Sequence, residues 1–143
     1  MRGARGAGRN GEPAGFEKPL GEPKDEALLD LAHLSRQCLG DQNLADELLR
    51  EFRAQSLTLA GRLAEGGAAA AAPGDLAHRL RGAALAVGAW KVARAAEAVE
   101  AIARSGGKGK GPIPNVEMSQ AVSKLVEAVS LTAEEIDRIQ PGR

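Results

Sequence analysis

The chain has 143 residues, enough for one domain with tails, and its 19 basic and 19 acidic residues cancel. That balance argues against a general nucleic-acid binder, whose domain is strongly basic. Two phenylalanines, one tryptophan and no tyrosine speak against a strand-rich protein, while the wealth of Ala, Leu, Glu and Arg favours helices, so an all-α fold is expected.

In chain order, Met1 to Lys24 is dense in Gly, Pro, Arg and Glu. It can bury little apolar area, and residues 1–24 read as a disordered tail ahead of a domain spanning 25–140. The start MRGARGAGRNGEP is basic but has no apolar core, so it does not read as a secretory signal. Gly6, Gly8 and Gly11 spell a literal GxGxxG. Without a strand before it or a helix after it, the motif carries no nucleotide-binding implication.

A first helix is expected over Asp25–Leu39, with Leu28, Leu31, Leu34 or Ser35, and Cys38 at helical spacing and Gly40 as its stop. Cys38 is the one cysteine, which excludes an intramolecular disulfide and suits a reducing, cytoplasmic setting. Its place in an apolar pattern makes it a small core residue. His33 reads as a surface or boundary histidine. Asp41 is a good N-cap for a second helix. Leu44, Leu48, Phe52, Gln55, Leu59 and Leu63 form that helix's expected stripe, up to Gly66-Gly67. Ala68 to Ala72 reads as a loop or frayed turn.

A third helix starts near Pro73 or Gly74, since proline suits a first turn, and ends near Val87. Gly88-Ala89 forms a tight corner. The fourth helix runs from about Ala89 to Arg104 with Val92, Ala96, Val99 and Ala103 inward. Ser105 to Pro114 is a flexible, locally basic linker. Asn115 caps the last helix, which extends to about Ile139 on Met118, Val122, Leu125, Val129, Ala133 and Ile136. Thr132 and Glu135 fit a capping box, but the stripe continues through them, so a single helix is expected. Four helices, roughly 43–65, 74–87, 89–104 and 115–139, should pack as an antiparallel bundle, with the additional N-terminal helix over one end. One chain can close such a core, so a monomer is expected. No run of about 18 apolar residues occurs, and no transmembrane helix or membrane role is expected.

The stretch Asp75 to Glu100 carries the chemistry. At about 100° per residue, Leu76, Leu80, Ala83 and Val87 fall on one side of the third helix. His78 falls opposite, with Arg81, Gly82 and Leu85 beside it at i+3, i+4 and i+7. A histidine that only filled a core would lie on the stripe. The run Ala77-His78-Arg79-Leu80-Arg81-Gly82-Ala83-Ala84, then Val87-Gly88-Ala89 and Val92, resembles the histidine-containing phosphotransfer (HPt) domain. A second segment, Leu39-Gly40-Asp41, Leu44, Glu47-Leu48-Leu49 and Phe52, is similar to that family's helix upstream of the histidine. The resemblance covers about Ala27 to Ile139. One departure is Arg81 where lysine is usual, and a planar fork is not a point charge.

The resemblance implies that His78 is a phosphoacceptor, with Arg81 stabilising the phosphoryl charge and Gly82 leaving it space. It implies a partner, the receiver domain of a response regulator or hybrid sensor kinase, and a relay between receiver aspartates. Arg79 and Leu85 then become docking candidates, and Trp90 either caps the bundle end or meets the partner. The residues agree with this chemistry. Imidazole, with an ordinary pKa near 6.5, is substantially neutral at cellular pH and can attack phosphorus. Phosphoryl transfer needs mostly positioning and electrostatics. No GxxxxGK[ST] loop, kinase ATP segment or Mg²⁺-binding carboxylate cluster is apparent, so the chain reads as no enzyme and as needing no cofactor; metal and aspartyl phosphate would come from the partner. An alternative is a non-phosphorylated helical adaptor that binds a receiver without transfer. The phosphoacceptor part of a histidine kinase fits poorly. That motif has an acidic residue after the histidine and a proline soon after, whereas Arg79 follows here and no proline comes before Pro112. Two histidines and one cysteine on different helices are too few for a closed zinc site.

Overall fold

A computed structural model of the chain describes residues 27–66, 73–106 and 115–140. It holds five helices: α1 (Leu31–Gln37), α2 (Gln42–Gly66), α3 (Pro73–Val87), α4 (Trp90–Gly106) and α5 (Asn115–Ile139). Among the described residues there is no strand. The expectations for the tail at 1–24, for 68–72, for 107–114 and for the Asn115 side chain lie outside what is described.

The start of α2 and the end of α3 have local causes. Asp41 Oδ1 accepts from the Leu44 amide at 3.1 Å, the capping bond expected of it. Gly88 has φ 81° and follows α3, and the Ala89 amide donates back to the Ala84 carbonyl at 2.9 Å. That bond spans five residues and closes a Schellman turn. A side chain at Gly88 would also strike Asp30, whose carbonyl lies 2.9 Å from the Cβ position. The corner therefore needs glycine for both conformation and space.

α2 and α5 run antiparallel. Gln140, just past α5, donates to the Asp46 carbonyl near the start of α2, and Arg53 pairs with Asp137 at 2.8 Å. The Gly88 corner folds α4 back along α3, and the Cβ position of Gly74 at the start of α3 lies 3.0 Å from Ala103 near the end of α4. α2, α3, α4 and α5 close a ring of packed neighbours, with α1 against α3 and α2. The antiparallel bundle with an added N-terminal helix is thus observed.

The inward stripes of α4 and α5 are largely as expected. Val92, Ala96, Val99, Met118, Leu125, Val129 and Ile136 are all buried. Leu63, Leu80 and Leu125 are fully enclosed, each worth about 1.5–3 kcal/mol. α5 passes through Thr132 without a break. The Thr132 hydroxyl donates to the Ala128 carbonyl at 2.8 Å, bonding back into the helix instead of capping a new one.

Three expectations need correction. The first helix is shorter than Asp25–Leu39: Asp30 caps it, accepting from the His33 amide at 3.0 Å, and residues 27–30 precede it unwound. Its stop is Leu39, not Gly40 alone, since Leu39 itself has φ 54°. In α2 the first turns are rotated by one residue. Ala45 and Leu49 are buried, whereas Leu44 is exposed and Leu48 only partly covered. The 44–48 and 45–49 spacings are both helical, so periodicity could not choose between them; packing against α1 and α5 did.

Candidate phosphotransfer site

His78 stands on the second turn of α3, on the side away from the buried Leu76, Ala77, Leu80 and Ala84. Its side chain is 65% exposed. Gly82, one turn on, meets nothing within 4 Å of its Cβ position, so open space lies beside the imidazole. Arg79 is exposed. An open groove beside the ring is lined by Gly74, Asp75, His78, Glu100, Ala103 and Arg104.

The structure adds a residue that the sequence reading did not assign. Glu100 of α4 receives His78 Nδ1 on one carboxylate oxygen at 2.7 Å and Arg81 Nε on the other at 2.8 Å. One carboxylate thus ties the phosphoacceptor candidate to its cation. Glu100 is only 11% exposed in its side chain. Burial opposes its ionisation, but the hydrogen bond from His78 and the charge and hydrogen bond of Arg81 outweigh that and hold its pKa below the ordinary 4.5. A signal for Glu100 was present in the sequence. His78 lies ten residues before the Gly88 corner and Glu100 twelve after it. Two helices folded back at that corner place both about 15–18 Å along the hairpin.

The other named residues separate. Arg81 stands beside His78, as expected, but already engaged by Glu100. Leu85 was expected on the open face; it is half-buried and packed against the core, because the face turns toward α1 at that level. Trp90 is 5% exposed, and its indole nitrogen donates to Asp30 Oδ2 at 3.0 Å. Of its two expected roles, the structure supplies the cap, and a docking role has almost no surface to act through.

His33 is a plain correction. It is 4% exposed, not at the surface. Its Nε2 donates to the Leu85 carbonyl at 2.9 Å, and its ring meets Trp90 edge-on with centroids 4.9 Å apart. The α1 side of this contact was invisible to a helical wheel, because the ring is covered by residues more than fifty positions away.

A family model for the Hpt domain matches residues 43–139. The chain belongs to the Hpt domain family. Membership places this domain in histidine phosphotransfer within two-component phosphorelays, as a carrier that meets receiver domains. The match begins after α1, so the Asp30–His33–Trp90 contact joins a segment outside the matched range to one inside it. Comparisons with curated proteins and with solved structures returned no match. Among the described residues, no group of three or more His, Cys, Asp or Glu side chains could hold a metal, and no helix is long and apolar enough to cross a membrane.

Proposed function

We propose that this Hpt domain accepts a phosphoryl group on His78 from the aspartyl phosphate of one receiver domain and delivers it to the aspartate of another. The observation that carries this reading is the His78 ring, 65% exposed beside an open Gly82. The other histidine is buried and hydrogen-bonded to backbone. In-line displacement needs a nucleophile that a partner surface can reach, and of the two histidines His78 is the one so placed.

A ring nitrogen forms the N–P bond as the P–O bond of the acyl phosphate breaks, and the electron pair leaves with the donor carboxylate. The ring becomes cationic, and the phosphoryl group keeps its charge. Arg81 supplies a fixed positive charge near that group without being consumed. The reverse sequence passes the group to the second receiver. The partner supplies the metal and the aspartate. Arg79 and Arg104, both exposed near the ring, suit an acidic partner rim.

Incubation with a phosphorylated receiver is the test. We expect acid-labile, base-stable label on His78, and none after His78→Gln, whose amide is a poor nucleophile. Receiver binding without label would favour the adaptor alternative, and label surviving His78→Gln would overturn the assignment. The His78→Gln protein should remain folded, because an exposed substitution costs less than about 0.5 kcal/mol.

A further inference from the structure

We propose that the cavity at the α1 end of the bundle is a docking site for this chain's own segment Phe16–Leu20. It shares no lining residue with the groove beside His78, so the site stands apart from the phosphotransfer reading.

The cavity holds about 200 Å³ where α1, the start of α2 and the end of α5 meet. Its walls are apolar at Leu31, Leu34, Leu49 and Ile139 and acidic at Asp41 and Asp46. Among the described residues, no basic side chain lines it. Leu31 is 50% exposed and Ile139 39%. Leu39 and Leu44, in the α1–α2 connection and the first turn of α2, are exposed as well. Four of the six exposed large apolar side chains among the described residues thus gather at this end. Leu39 is displayed with φ 54°, a conformation rare for residues other than glycine. Single exposed leucines are ordinary, but a cluster beside a cavity marks a binding surface.

The lining defines the occupant: apolar groups with a positive charge among them. A stable dimer buries about 800 Å² per partner, far more than a few half-covered side chains offer, so a short stretch of chain fits better than a second folded copy. Residues 67–72 and 107–114 attach to the far ends of α2 and α5. Each of those helices has 25 residues. That is about 37 Å of helix, which six or eight residues cannot retrace and still connect to the next helix. Residues 141–143, Pro-Gly-Arg, follow Gln140 directly but bring no large apolar group.

The N-terminal segment meets every requirement. The described chain begins at Ala27, four residues before Leu31 of the cavity wall. Ahead of it, Met1 aside, Phe16 and Leu20 are the only large apolar side chains, and Lys18 lies between them. An extended run places residues 16, 18 and 20 on one face and Glu17 on the other. Pro19 favours that conformation at Lys18. Phe16 and Leu20 then meet the apolar walls, and the Lys18 ammonium faces Asp41 and Asp46. Leu20 is seven residues from Ala27, a reach of up to about 25 Å. A short tether gives an effective concentration of the order of millimolar, so a contact too weak to form between chains is populated within one.

Methyl NMR of the full chain, with protonated phenylalanine and methyl groups in a deuterated background, is the test. The Phe16 ring should show nuclear Overhauser contacts to the methyls of Leu31 and Ile139, and Phe16→Ala should remove them. Phe52, which is buried, keeps its own contacts and serves as the reference. Phe16→Ala with Leu20→Ala should shift the Leu31 and Ile139 methyl signals and leave the His78 ring signals as in the parent. At low salt, Lys18→Glu should lose the contacts, whereas Arg5→Glu, the same change of charge outside the segment, should keep them. No Phe16 contact in the parent, with methyl signals unmoved by the double substitution, would overturn the proposal. Full contacts in Lys18→Glu would overturn the charge pairing. In a mixture of chains carrying only protonated phenylalanine with chains carrying only protonated methyls, the contacts should be absent. Their appearance there would overturn docking within one chain in favour of exchange between copies.

Discussion

The two histidines of this chain each sit close to a carboxylate, and the two arrangements do opposite things. At the α1 end, Asp30 binds the His33 amide and the Trp90 indole, while the His33 ring is buried and gives its Nε2 proton to the Leu85 carbonyl. On the α3–α4 face, Glu100 holds His78 from behind and leaves most of the ring exposed. Both carboxylates are buried enough to oppose ionisation, and both are held below their ordinary pKa by the donors around them. The difference is what the imidazole has left over. His33 is enclosed and joins α1 to the corner that turns α3 into α4. His78 retains a nitrogen that faces away from its clamp. The comparison teaches that a hydrogen-bonded histidine is no less suited to chemistry than an unbonded one; what decides is whether the bond uses the ring up or orients it.

If that division holds, changes at the α1 contact move stability and spare transfer, and changes on the open face do the reverse. The largest stability effect should come from Trp90→Ala. It empties a buried site and removes the Asp30 contact, at a cost of about 3–5 kcal/mol by thermal or urea denaturation. Label per folded molecule should stay close to the parent's; a selective loss of transfer at unchanged stability would return Trp90 to the docking surface. His33→Gln should cost roughly 1–3 kcal/mol, since the ring contact is lost and the Leu85 carbonyl is less well satisfied. It should keep full labelling, and a parent-like melting curve would refute the structural role given to His33.

Gly82→Leu sharpens the other half. Nothing lies within 4 Å of the Cβ position, so the fold accepts the side chain. A better helix former should stabilise slightly, by roughly 0.5–1 kcal/mol. Transfer from the receiver should drop by at least about tenfold, the rate equivalent of 1.4 kcal/mol of steric and desolvation cost at the transition state. Equal rates would mean that the space beside His78 is not used.

The smallest effect is a pH dependence shared by both regions. Asp30 and Glu100 have folded pKa values depressed below the ordinary 3.8 and 4.5. Their contribution is fully present above those ordinary values and is lost as pH falls through the depressed folded ones. Stability should therefore decline on acidification below about pH 4.5. The decline should be shallower in Asp30→Asn and in Glu100→Gln than in the parent. Equal slopes would mean that neither carboxylate is held as described.

The sequence by itself determined the helical class, the four core helices, the Asp41 cap, the Gly88 corner and the face on which His78, Arg81 and Gly82 lie. These are local properties: spacing, propensity and capping act within a few residues, and a wheel reads them directly. It also carried the family resemblance, because that motif is contiguous. Tertiary structure alone decided the rest. It buried His33 and Trp90 by placing α1 on the α3–α4 corner, and drew Leu85 toward the core. It rotated the start of α2 so that Ala45 and Leu49 faced inward in place of Leu44 and Leu48. It also brought Glu100 within 2.7 Å of His78. Each of these joins residues on different helices, and helical periodicity says which way a side chain points without saying what lies there. For His78 and Glu100 that answer came from the hairpin, whose two arms return side chains ten and twelve residues from a glycine corner to nearly the same level.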